Sequence, residues 1–157
     1  MSTPLVQQVG SCPCGAASFT VHGRPLARFY CHCEICQQLY NQPFVDVSAF
    51  AEKAITVSDP AAISFRKYRK PPALQRGTCR SCGQPVVGFL HLGPLPGLAF
   101  LATRNLSEPE MLPSPRAHIF CHRKVAAIQD ALPQISGYWR SEWAVFEWIG
   151  QTLLRPA

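Results

Sequence analysis

The sequence predicts a mainly β fold, an open β sandwich or barrel with zinc knuckles and one amphipathic C-terminal helix. Short runs rich in Val, Ile, Phe and Tyr recur along the chain between turn-forming residues. Fifteen prolines interrupt the 157 residues, and many short strands with frequent turns are typical of this architecture. Of the eight cysteines, all but one lie in three clusters with the spacing of metal ligands.

The strands are predicted from runs that are bounded by Gly, Pro, Ser or Asp. We expect them at Ser18–Val21, Arg28–Tyr30, Phe44–Val47, Ile55–Val57, Ile63–Tyr68, Val86–His91, Leu98–Thr103 and His118–Cys121. One helical turn is expected at Glu108–Met111, with Ser107 as its N-cap residue and Pro109 early in the turn.

We expect a single domain over residues 1–157, with its core at about 10–130 and a helical extension at 136–157. Apolar residues in the extension recur at three- and four-residue steps, as on one face of an amphipathic helix. They are Trp139, Trp143, Phe146, Ile149 and Leu153. We expect this face to pack on the sheet. The alternative is a lid or a homodimer contact near the metal site.

Composition and the N-terminal residues predict a cytoplasmic protein. Apolar residues make up 47% of the chain and charged residues 15%, the balance of a globular protein. No run approaches the ~18 apolar residues of a membrane span. Met1–Gly10 lacks the basic start and apolar stretch of a secretory signal. In a reducing cytoplasm, closely spaced cysteines are metal ligands more often than disulfides.

Two cysteine pairs, Cys12-x-Cys14 and Cys79-x-x-Cys82, each lie on a turn that ends in glycine. Glycine there permits a positive φ and leaves backbone N–H groups free to reach the sulfurs. Neither pair completes a tetrahedral site alone, so we expect the two pairs to share one zinc ion. Such a site is closed and therefore structural, with a binding free energy on the order of 10 kcal/mol.

The central motif contains Cys31, Cys33 and Cys36 in the order C-x-C-x-x-C. On an extended strand the first two side chains would point to the same face, and the last two have zinc-knuckle spacing. Three protein ligands leave the fourth zinc position to water or substrate. Three thiolates are suited to holding an incoming thiol as its thiolate. We therefore expect a catalytic zinc site, with His32 as a supporting group rather than a ligand.

Cys121 leaves an alternative open. Its sulfur would close the central site and produce two four-cysteine sites, which is typical of a non-catalytic zinc module that binds protein or nucleic acid. The other interpretation is that Cys121 is a small buried residue on a strand, where it shares a face with Ile119.

The densest positive charge is Arg66-Lys67-Tyr68-Arg69-Lys70, with Arg76 and Arg80 beyond it. We expect a solvated face, and the alternative is capture of substrate carboxylates. A nucleic-acid groove needs aromatic platforms, and only Phe65 and Tyr68 are available. Seven thiolates and two zinc ions also remove three units of the formal net charge of +6. We expect neither a nucleic acid nor a membrane as partner.

The ordered motifs resemble those of the glutathione-dependent formaldehyde-activating enzyme family (the CENP-V/GFA domain), from about Cys12 to Lys124. They are C-x-C-G at Cys12, C-H-C-x-x-C at Cys31 followed by Gln42-Pro43-Phe44, C-x-x-C-G at Cys79, and His118-Ile119 after Pro115.

This resemblance implies a β-rich, Mss4-like fold and two zinc ions per chain. The structural zinc would bind Cys12, Cys14, Cys79 and Cys82, and the catalytic zinc Cys31, Cys33 and Cys36. The family is named for condensing formaldehyde with glutathione to S-hydroxymethylglutathione and is classed with the carbon–sulfur lyases. The resemblance therefore implies a small-molecule thiol, glutathione, as the partner.

Overall fold

In the computed structural model, which describes residues 6–68 and 74–155, the chain forms two β-sheets and two α-helices. The smaller sheet contains β1 (Val6–Ser11), β2 (Ser18–Gly23) and β5 (Ile55–Val57). The larger sheet contains β3 (Ala27–Cys31), β4 (Val45–Ala51), β6 (Ile63–Lys67), β7 (Gln75–Cys79), β8 (Pro85–Leu90), β9 (Leu98–Ala102) and β10 (His118–Ile119). The helices are α1 (Glu34–Tyr40) and α2 (Tyr138–Leu154). The predicted mainly β class with a C-terminal helix is confirmed.

Strand order places the end of β3 beside β10. The smaller sheet has the order β1-β2-β5 and the larger sheet β10-β3-β4-β9-β8-β7-β6. Pairing is antiparallel throughout the named strands except between β10 and β3, where Ile119 pairs with Cys31. The first cysteine of the central motif is therefore held in register from both sides, by β10 and by Val45 of β4.

The core consists of two apolar clusters. In β2, Phe19 and Val21 are fully buried while their neighbours are more exposed, which is the alternation of a strand with one buried face. These two side chains pack with Phe50, Val86 and Leu101 in the first cluster, which includes Cys12 and Cys79. The second cluster includes Cys31 and Cys36. Each group of cysteines therefore has its own apolar surroundings.

The packing face of α2 differs from the prediction. Ile149 is buried and Phe146 partly buried, but Trp139 is 79% exposed, Trp143 73% and Leu153 52%. The buried face consists of Ser141, Val145, Ile149 and Thr152. Ser141 and Thr152 are polar, and each hydrogen-bonds to a backbone group. The Ser141 hydroxyl accepts a hydrogen bond from the Phe120 N–H, and the Thr152 hydroxyl donates one to the Leu26 carbonyl. The face predicted from apolar periodicity therefore matches the observed packing only at Phe146 and Ile149.

Strand β1 was not predicted because its burial reverses the usual pattern. Gln8 is buried and Val9 is 53% exposed. The Gln8 amide accepts a hydrogen bond from the Glu108 N–H at 2.8 Å and donates one to the Glu108 carbonyl at 3.2 Å. Strand β7 was also missed, since its sequence, QRGTC, is mostly polar.

Two predicted elements are shorter than expected. The strand at His118–Cys121 ends at Ile119 because Phe120 adopts a left-handed backbone with φ of 57°, and Cys121–Arg123 form a 3-10 turn. The predicted helical turn is a 3-10 turn at Pro109–Met111 with Glu108, rather than Ser107, at the N-cap position. Neither of the helices in the described part of the chain is long and apolar enough to span a membrane.

The packing of β7 can be tested at Gly77. A Cβ atom there would lie 2.6 Å from the Ile63 side chain and 2.9 Å from the Val87 carbonyl oxygen, whereas one at Gly150 in α2 would contact nothing within 4 Å. We expect Gly77→Ala to lower the free energy of unfolding by about 1–3 kcal/mol. Gly150→Ala should raise it by up to about 1 kcal/mol, because alanine favours the helix. Urea titration of the metal-loaded proteins measures both, and equal effects would contradict the packing described for Gly77.

Candidate metal centres

Cys12, Cys14, Cys79 and Cys82 converge on one point, with their sulfurs within 4.8 Å of one another. The sulfur of Cys14 lies 3.5 Å from that of Cys12 and 3.7 Å from that of Cys79, although 65 positions separate Cys14 and Cys79. Tetrahedral zinc with Zn–S bonds of about 2.3 Å separates its sulfurs by about 3.8 Å. The spacing therefore fits a tetrahedral metal ion. These cysteines form no disulfide.

Backbone N–H groups point at the sulfurs of this cluster. Ala17 donates to the sulfur of Cys12 at 3.5 Å, and Ser81 donates to that of Cys79 at 3.3 Å. Both turns then reverse through glycines with positive φ, 79° at Gly15 and 75° at Gly83, as the spacing predicted. Such donors stabilise negative charge on the sulfurs and so favour the thiolate form that binds metal.

Cys31, Cys33 and Cys36 form the second group, again with sulfurs within 4.8 Å of one another. Cys31 is the last residue of β3, Cys33 is the N-cap residue of α1, and Cys36 lies in the first turn of that helix. The Cys36 N–H donates to the Cys33 sulfur at 3.4 Å. The prediction that the first two share an extended strand was wrong, because the chain leaves the strand after Cys31. The sulfurs converge through a strand-to-helix junction instead.

Charge in the three-cysteine group is concentrated on Cys33. Hydrogen bonds donated by the thiols of Cys31 and Cys36 lower the pKa of Cys33 to about 3, and donation to Cys33 raises the pKa of Cys31. The guanidinium of Arg76 lies 3.9 Å from the Cys36 sulfur and also favours the thiolate at Cys33. The group is therefore anionic at neutral pH, which suits a soft divalent cation.

Cys121 belongs to neither group of sulfurs in the described part of the chain. It is buried in the 3-10 turn after β10, and burial raises its pKa. Cys121 therefore does not supply the fourth sulfur to the three-cysteine group that the alternative with two closed four-cysteine sites requires. The assignment of the seven clustered cysteines as structural and catalytic ligands stays a prediction.

His32 is buried and connected to the surface through a second histidine. Its Nε2 lies 2.8 Å from Nδ1 of His118, and Nε2 of His118 donates to both carboxylate oxygens of Asp130, at 3.0 and 2.9 Å. The hydrogen bond from His118 lowers the pKa of Asp130. Nδ1 of His32 is buried without a hydrogen-bond partner among the described residues. His32 thus supports the loop that carries the cysteines and is not in the sulfur group, as expected.

The three-cysteine group opens into a cavity of about 320 Å³. Several of its lining residues in α1 and α2 were not anticipated as site residues. They are Tyr40, Tyr138, Glu142 and Val145, and Arg76, which was named only with the basic cluster, joins them. Burial raises the pKa of Tyr40, so its phenol stays protonated. Tyr40 follows Cys36 by one helical turn, and this spacing could have indicated it. The residues of α2 carry no sequence pattern that links them to the cysteines.

The predicted basic cluster is divided between solvent and the three-cysteine group: Arg66 is exposed, whereas Arg76 reaches the Cys36 sulfur. Lys67 is exposed, and the guanidinium of Arg66 stacks 5.1 Å from the ring centre of Tyr68. Phe65 packs against Phe89 with ring centres 5.8 Å apart. These contacts fit the solvated face that was expected. Arg69 and Lys70 lie outside the described residues.

Comparisons with known proteins identify one family. The sequence pattern described as "Glutathione-dependent formaldehyde-activating enzyme" matches residues 7–123. The solved structure of a Rhodobacter sphaeroides protein superposes with a TM-score of 0.50 at 16% identity, over 63% of this chain and 87% of that one. At that identity the likeness concerns the fold alone. No curated protein matches the chain at the threshold of significance.

Metal content tests the two groups of sulfurs. We expect two zinc ions per purified chain, one in Cys33→Ser and two in Cys121→Ala, because Cys121 is not part of either group. Cys79→Ser should lose one ion and most of its stability, since binding at a closed site contributes on the order of 10 kcal/mol to folding. Elemental analysis and thermal unfolding measure these effects. A Cys121→Ala protein with one zinc ion would contradict the geometry.

Titration tests the burial of His32. Desolvation, with a contribution from His118, lowers its pKa to about 4, against about 6.5 in an unfolded chain. The unfolded chain therefore binds this proton first, and the contribution of His32 to stability is lost as pH falls from about 6.5 towards 4. We expect imidazole nitrogen NMR to find His32 uncharged at pH 6, with the proton on Nε2. A titration midpoint near pH 6.5 for His32 in the folded protein would contradict its burial.

Proposed function

The chain belongs to the glutathione-dependent formaldehyde-activating enzyme family, and on this premise we propose that it is a zinc-dependent carbon–sulfur lyase or synthase. It would activate a thiol, such as glutathione, for addition to formaldehyde or another small aldehyde. The observation that carries this proposal is the three-sulfur group that opens into a cavity, beside a four-sulfur group complete in itself. A site with three protein ligands leaves a position for substrate.

Zinc is the metal that the donor sets favour. Both groups offer only cysteine sulfurs at spacings that suit tetrahedral coordination, and zinc binds such sets readily. Bound at Cys31, Cys33 and Cys36, zinc would hold the incoming thiol as its thiolate at neutral pH. Cys12, Cys14, Cys79 and Cys82 would hold the structural ion.

The reaction itself is an addition. The substrate sulfur forms a bond to the aldehyde carbon, and the π electrons of the carbonyl move to its oxygen. The proton lost by the thiol is matched by one gained at that oxygen, so the product is an S-hydroxyalkyl thioether and nothing is oxidised or reduced. The reverse reaction breaks the same carbon–sulfur bond, as in a lyase.

The residues of the chain position and stabilise this chemistry. Arg76 places a positive charge 3.9 Å from the Cys36 sulfur, next to a group that would carry four sulfurs once a thiolate is bound. Its charge offsets the repulsion that the fourth thiolate meets. The apolar side chains of the cavity wall would limit the access of water to the sulfur nucleophile, which would strengthen this electrostatic effect.

Residues 1–157 would work as one domain, because α2 packs against β3 and lines the same cavity as the cysteines. A cytoplasmic location would keep the clustered thiols reduced. A homodimer through the exposed Trp139 and Trp143 stays a prediction.

Consumption of formaldehyde in the presence of glutathione tests the activity. We expect a rate above the uncatalysed reaction that Cys33→Ser abolishes, because removal of one sulfur releases the ion. Cys121→Ala is the matched control and should keep the rate. If the zinc-loaded protein does not exceed the uncatalysed rate with glutathione or with other thiols, the proposed function is wrong.

The role of Arg76 is tested by comparison with its cross-strand neighbour Arg66. We expect Arg76→Met to weaken thiol binding about tenfold, because a charge close to the sulfur group is lost. Arg76→Lys should recover part of the affinity. Arg66→Met removes the same charge from a residue outside the cavity lining and should have little effect. Equal losses of thiol affinity in Arg76→Met and Arg66→Met would contradict this role, because they would show that only the net charge of the protein affects thiol binding.

A further inference from the structure

We propose that the cavity over Cys31, Cys33 and Cys36 binds an apolar group of the substrate thiol, so that the site prefers arylalkyl or branched alkyl thiols to glutathione. The inference rests on the proposed function and specifies its substrate class.

The wall contributed by the sheet is apolar. Phe29 and Val47 are buried, Leu90 and Phe100 are partly buried, and all four line the cavity together with the cysteines. The volume of about 320 Å³ is at the low end of the range for small-molecule sites, roughly 300–1,000 Å³. A hydrocarbon group of matching size would displace water from this wall, which is favourable in proportion to the apolar area covered.

Helix α2 completes the wall with Val145 and Phe146. This helix, Tyr138–Leu154, lies beyond residues 7–123, the part of the chain that matches the family pattern. Val145 is buried and Phe146 packs partly buried against the cluster that contains Cys31 and Cys36. Part of the apolar wall therefore comes from a segment of this chain outside the residues that match the family pattern.

The charges in the described lining are poorly arranged for a thiol with two free carboxylates, as glutathione has. The described lining contains two glutamates, Glu34 and Glu142, and two arginines, Arg76 and Arg123. Of the arginines, Arg123 is ion-paired with Glu34 at 3.1 Å and Arg76 contacts the Cys36 sulfur. The side chains of the Arg123–Glu34 pair are 55% and 60% exposed, so this pair lies at the opening. The wall behind it is suited to an uncharged group.

Thiol binding to the protein loaded with Co²⁺ tests this preference without relying on turnover. A thiolate that enters the open site changes the cobalt absorption, while the four-cysteine site contributes a constant background. The probes are phenylmethanethiol, 2-hydroxyethanethiol and glutathione. We expect phenylmethanethiol to bind at least tenfold more tightly than either of the others.

Two substitutions in α2 locate the preference. Phe146→Gln should reduce the advantage of phenylmethanethiol over 2-hydroxyethanethiol at least fivefold, while Trp143→Gln, on the exposed face of the same helix, should leave it unchanged. The wild-type comparison is decisive even if Phe146→Gln fails to fold. Equal affinities for the three thiols, or tighter binding of glutathione, would overturn the apolar preference and leave thiol activation in place. If no thiol changes the spectrum, the proposed function fails as well.

Discussion

The convergence of Cys12 and Cys14 with Cys79 and Cys82 is the constraint on which the two-sheet arrangement depends. The first pair follows β1 of the smaller sheet, and the second begins with Cys79, the last residue of β7 in the larger sheet. Four sulfurs within 4.8 Å repel one another as thiolates unless protons or a cation lie between them. A cation there would join the sheets, and its binding free energy, on the order of 10 kcal/mol, would be comparable to the whole stability of a domain.

Strand β7 connects the two cysteine groups. Arg76 reaches the sulfur of Cys36, and Cys79 of the same strand belongs to the other group. Between them the pairing of β7 with β8 shifts register at Gly77 and Thr78, which changes the direction of the following side chains. Because Gly77 packs tightly against Ile63, this irregular segment is held firmly. The position of the Arg76 charge beside the three-cysteine group therefore depends on β7, and the four-cysteine group holds this strand at Cys79.

The described residues around Cys31, Cys33 and Cys36 come from distant parts of the chain. The sheet register holds Cys31, the hydrogen-bonded series from Asp130 through His118 supports His32, and α2 lines the cavity above. None of these supports is local in sequence. A short motif therefore supplies the three sulfurs, while the residues that support and surround them come from elsewhere in the chain.

Most strands and both cysteine groupings could be predicted, because β-branched runs and short ligand spacings are local properties of a sequence. Strand β1 was missed because the buried Gln8 bonds to Glu108, which is 100 positions away. The packing face of α2 was misjudged because Ser141 and Thr152 are buried through hydrogen bonds to the backbone.

The β class, the sulfur groups and the family can all be inferred from residue types and their spacing. The folded structure was needed to show that Cys121 lies apart from the sulfurs, that Arg76 lies beside them, and that Phe146 lines an apolar cavity over them. Those relations depend on how strands and helices pack across long separations in the chain, and residue spacing carries no record of such packing.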